Sequence, residues 1–105
     1  MMKKMSALLT LSLVALCFSL AAQAEESSLE LGKQLFNNPG LGASKNDKSC
    51  NSCHADGKGL EKAGADQHLA EIINKCIKGP MQGEGINEGT VAMQSLELYI
   101  QSLAK

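Results

Sequence analysis

Apolar positions along the chain fall into four groups, separated by polar stretches rich in glycine. The first is an unbroken apolar run from Ala7 to Leu20. The second, Leu29 to Asn37, places Leu31, Leu35 and Phe36 on one side of a helix. Ser27 or Ser28 can cap it, Glu30 supports its first turn, and Pro39-Gly40 prevents its continuation. The third, Asp66 to Ile77, carries Leu69, Ile72, Ile73, Cys76 and Ile77 at the i, i+3, i+4, i+7, i+8 spacing of a helix with one buried face. Asp66 is its expected cap and Gly79-Pro80 its stop. The fourth, Thr90 to Leu103, holds Val91, Leu96, Tyr99, Ile100 and Leu103. Between the groups, residues 42–49, 55–65 and 79–89 read as loops, and no stretch alternates with the period of a strand. The pattern predicts an all-α protein with three main helices after the first apolar run.

That first run has its own meaning. Met1-Met2-Lys3-Lys4 precedes it and Ala22-Gln23-Ala24 follows, which is the charged, apolar and small-residue order of a secretory leader. The run is shorter than the roughly 20 residues of a membrane span. The expected organisation is a signal peptide over residues 1–24, removed after Ala24, and one domain over 25–105 with no membrane span after cleavage. The expected location is the periplasm. Cys17 leaves with the leader.

Cys50-Asn51-Ser52-Cys53-His54 carries the chemistry. C-x-x-C-H is the attachment signature of a c-type haem. One turn of backbone presents both thiols to one porphyrin edge, where they add across the vinyl groups, and brings the next imidazole beneath the iron. C-x-x-C alone would also suit a dithiol redox pair or half a zinc site. The His in register, the leader and the lack of a second C-x-x-C favour one covalent haem c, with His54 as an axial ligand.

Composition supports this reading. A domain of this size buries too little apolar surface to stand easily alone, and small domains need a staple. Aromatic residues make up 3% of the chain and tryptophan is absent, which suits a core where porphyrin replaces aromatic side chains. The net charge of −1 and the lack of a basic run speak against nucleic-acid binding. Lys45, Lys48, Lys58 and Lys62 flank the haem motif and could steer an acidic redox partner, although Asp47, Asp56 and Glu61 are interleaved.

The order of elements resembles a small monohaem class I bacterial cytochrome c. Gly32, Phe36, Leu96 and Tyr99 match the positions at which that family crosses its N- and C-terminal helices. The resemblance implies three main helices around one covalent haem. The stretch from Leu31 to Phe36 followed by Ser49 to His54 is also similar to the first haem segment of di-haem cytochrome c peroxidases. The segment holding Cys76, Met81 and Met93 looks like a haem domain of thiosulfate dehydrogenase and sulfur-oxidising cytochromes, in which a cysteine thiolate can bind iron.

The sixth iron position decides function, because ligand choice moves the potential over about 0.8 V. Met81, in Gly79-Pro80-Met81, occupies the loop where class I cytochromes carry their methionine ligand. Cys76 is its rival, an unpaired thiol once Cys50 and Cys53 bind haem. Met93 at the start of the last helix is a third choice, and His68 a fourth. The expectation is a monomeric electron carrier between redox partner proteins and not an enzyme. The alternatives are a protein of sulfur-compound oxidation with Cys76 on iron, and a binder of small ligands with an open sixth position.

Overall fold

The computed structural model describes residues 26–105; the expected leader, residues 1–24 with Cys17, lies outside the described residues. Four α-helices are present and no strand among the described residues, as an all-α small cytochrome fold requires. They are α1 (Leu29–Phe36), α2 (Cys50–Cys53), α3 (Leu69–Lys78) and α4 (Val91–Gln101), with single 3-10 turns at Leu41–Ala43, Ala55–Gly57 and Ala63–Ala65. None of these helices is long and apolar enough to cross a membrane.

α1 starts where its cap predicts. The Ser28 hydroxyl accepts from Leu31 N at 3.0 Å, satisfying a donor that the first helical turn leaves free. Thr90 does the same for α4, accepting from Met93 N at 3.1 Å. α3 differs from expectation at its start. The Asp66 carboxylate accepts from His68 N at 2.7 Å, but it does so in a turn before the helix. Helical geometry begins only at Leu69, with His68 at the cap position. An Asp side chain competes equally well for turn and cap geometry, and here the turn wins.

α1 crosses α4 at Gly32. A Cβ built there would overlap the Ser95 carbonyl oxygen and come within 2.9 Å of Tyr99 Cβ. Only a residue without a side chain lets the two backbones meet this closely, which justifies the roughly 1 kcal/mol that glycine costs inside a helix. Phe36 and Tyr99 pack beside the crossing with ring centroids 5.0 Å apart and planes tilted by 56°, within the favourable range for aromatic pairs. Leu96 is wholly buried. So is Ser95, whose hydroxyl accepts from Ser28 N at 3.0 Å. That polar tie stitches the start of α1 to the middle of α4, and nothing in the hydrophobic pattern announces it.

Candidate functional site

α2, α3 and the loops around them enclose an apolar cleft of about 580 Å³, counting its open mouth. Cys50 and Cys53 of α2 and His54 just after it line one side; Leu69, Ile72, Ile73 and Cys76 line it from α3, Pro80 and Met81 from the loop that follows, and Phe36 of α1 and Ile100 of α4 from the core. The i, i+3, i+4, i+7 stripe of α3 thus faces the cleft, while Ile77, one position further, is wholly buried.

The motif is one helical turn, as its spacing requires. Ser49 and Ser52 close a capping box around it: Ser52 Oγ accepts from Ser49 N at 2.9 Å. His54 N donates to Cys50 O at 2.9 Å and ends the turn. Cys53 is exposed at the surface, whereas Cys50 is half-buried. Burial pushes the Cys50 thiol up to about 11, with the nearby Cys76 sulfur adding to the effect. The Cys76 thiol is raised as well, first by burial and then by Cys53. All three sulfurs line the same cleft.

The His54 ring is oriented by its own loop. Nδ1 lies 3.0 Å from the Lys58 carbonyl oxygen. A carbonyl can only accept, so Nδ1 carries the proton and Nε2 keeps the basic lone pair. Histidines that bind metals are held in this way, and the bond raises their basicity. Two thiols one turn apart, an imidazole with Nε2 free to coordinate, and apolar walls form a donor set that fits a haem c.

Met81 is buried, at 3% exposure, and its loop is tied down at several points. Its amide donates to Cys76 O at 3.2 Å and its carbonyl accepts from Lys45 N at 3.1 Å. Asn46 Nδ2 donates to Pro80 O at 2.6 Å. Glu84 N donates to Gly42 O at 2.7 Å. Further along, the Asn74 side chain both donates to Ile86 O and accepts from Ile86 N, each at 2.8 Å. These ties join the 79–89 loop to α3 and to the segment preceding the haem motif. Asn46 and Asn74 were not legible as site residues, since an asparagine in or beside a loop carries no mark of its distant partner.

The other two contenders for the sixth position lie elsewhere. Met93 is wholly buried in the core and does not line the cleft. The His68 side chain is 70% exposed and stands 3.9 Å from Glu71 on the same helix. Among the described residues no cluster of three or more His, Cys, Asp or Glu side chains suits a bare metal ion. Lys45, Lys48, Lys58 and Lys62 are all exposed around the motif.

Residues 26–100 match the family model of the di-haem cytochrome c peroxidases. No curated protein and no solved structure matches the chain significantly. The match supports a haem cofactor and corrects one expectation. An electron carrier that is not an enzyme was expected, but the matched family is one of enzymes. The physical reason for the error is that C-x-x-C-H specifies attachment of the haem and is silent about the reaction in which that haem serves.

Proposed function

The chain belongs to the di-haem cytochrome c peroxidase family, and from that premise we propose that it is a haem c unit that relays single electrons in a peroxide-reducing system. The observation that carries this reading is the cleft itself, where Cys50, Cys53, His54 and Met81 converge between apolar walls. One haem per chain is inferred, because the sequence holds one C-x-x-C-H. The haem, when bound, supplies a one-electron couple at its iron. Cys50 and Cys53 would hold it covalently, His54 would ligate through Nε2, and Met81 would take the sixth position. A thioether opposite an imidazole raises the potential and suits electron transfer. The pinned loop keeps Met81 in place, while Cys53 at the surface marks the edge through which electrons would pass. The exposed lysines around it suit docking to an acidic redox partner. Residues 1–24 would export the chain to the periplasm and then be removed, leaving a monomeric class I-like domain over 25–105.

The position of Cys76 on the cleft wall favours a second reading, in which its thiolate binds iron and the substrate is a sulfur compound. Met81 is the more deeply buried of the two, and its amide and carbonyl are both tied by hydrogen bonds, which weighs toward Met81.

Visible and electron-paramagnetic-resonance spectra of the purified holoprotein test both readings. Met81→Ala is expected to abolish the red-region methionine-to-iron band, lower the potential and open the iron to added ligands. Cys76→Ser is expected to leave that band intact and to cost about 1 kcal/mol for a hydroxyl on an apolar wall. A spectrum indifferent to Met81 and transformed by Cys76→Ser selects thiolate ligation. Reduced holoprotein should also be oxidised on adding hydrogen peroxide, as membership of a peroxidase family leads one to expect, and haem extractable by acid acetone would refute covalent attachment.

A further inference from the structure

Resting on the reading of His54 as an iron ligand, we propose that Leu103, beyond the end of α4, is a positioning residue that holds the Lys58 carbonyl against His54 Nδ1. The turn from His54 to Lys58 carries backbone strain that its own hydrogen bonds must offset. Asp56 and Gly57 are both left-handed, at φ +53° and +82°, and Asp56 is not a glycine. Short bonds close the turn, Gly57 N to His54 O at 2.8 Å and Lys58 N to Ala55 O at 3.0 Å. Asn51 Oδ1 also accepts from Asp56 N at 2.7 Å. Lys58 and Gly59 are exposed, so water competes for the carbonyl that orients the ring.

Leu103 fills the space behind this turn. A Cβ on Gly57 would lie 2.8 Å from Leu103 Cδ2 and 3.1 Å from Cγ, so the leucine rests directly on the bare Cα. Leu103 is itself held by its amide, which donates to Ile100 O at 3.0 Å, and it packs against the core. A second contact runs parallel to it, since a Cβ on Gly64 would lie 2.6 Å from Gln101 Cα. The end of α4 therefore backs the 57–64 loop at two glycines. Leu103 does not line the cleft, and it acts on the ring only through Gly57 and Lys58.

The ring bond makes His54 a stronger donor, which favours ferric iron, so loosening it raises the potential. In the holoprotein, Leu103→Ala is expected to speed exchange of the His54 Nδ1 proton at least tenfold by NMR and to raise the reduction potential. Leu103→Val should move both in the same direction by less, and Leu103→Met should restore both. Leu35→Ala, which also removes a half-buried core leucine, should lower Tm without moving either readout. A lower Tm with unchanged exchange and potential in both Leu103→Ala and Leu103→Val would overturn the inference alone. A His54→Ala holoprotein with the wild-type low-spin spectrum would overturn the axial reading, and the inference with it.

Discussion

The α1–α4 crossing and the cleft beneath α3 are built on opposite principles. At the crossing the protein completes its own packing: Gly32 meets the Ser95 backbone, Phe36 packs at a tilt against Tyr99, and Leu96 is wholly buried. Around the cleft, Cys76 and Ile72 stay half-buried although they sit on the apolar face of α3. Their surface is the right kind for a core, yet part of it is left open on the cleft wall. The contrast shows where the domain gets its cohesion. One half is finished by its own residues, while the other is a mould for a large apolar group, held open by polar ties such as Asn74 to Ile86 and Asn46 to Pro80.

The comparison can be broken most forcefully from the cleft side. Cys50→Ala/Cys53→Ala removes both attachment points. The protein is then expected to lose its cooperative thermal transition and much of its helical signal, because the remaining core is too small to stand alone. Native circular dichroism with a sharp transition in this variant would show that the cleft half does not need its cofactor.

The crossing is tested by Gly32→Ala. The new methyl group meets a backbone carbonyl, which cannot rotate away as a side chain can. A loss near the upper end of overpacking costs, about 3 kcal/mol, is expected in chemical denaturation. The haem spectrum of the surviving folded fraction should be unchanged, since Gly32 is no part of the cleft. A shifted spectrum would mean that the two halves are mechanically coupled.

The smallest of these effects concerns the ties. Asn74→Ala removes two hydrogen bonds to Ile86, each worth about 0.5–1.5 kcal/mol net in a typical protein. A loss of about 1–2 kcal/mol is expected, together with faster amide exchange across residues 79–89. Exchange unchanged in that loop would show that its other anchors, at Gly42 and Lys45, suffice.

The sequence by itself determined the helices, their faces and the attachment motif. Each of these is written in short-range chemistry: the 3.6-residue period of α3, the serine cap of α1, and two thiols and an imidazole within one turn. It also pointed to the α1–α4 crossing, because a glycine inside a helix needs a reason. Tertiary structure decided what depends on groups distant in the chain. Met81 and Cys76 reach the cleft while Met93 is drawn into the core, although all three are sulfur residues at plausible spacings. The partner of the His54 ring is a backbone carbonyl, which every residue possesses and no side chain advertises. Ser95 is buried because Ser28, 67 positions away, brings it a donor. Periodicity reports which face of a helix is apolar; only the folded chain decides whether that face meets another helix or a cofactor.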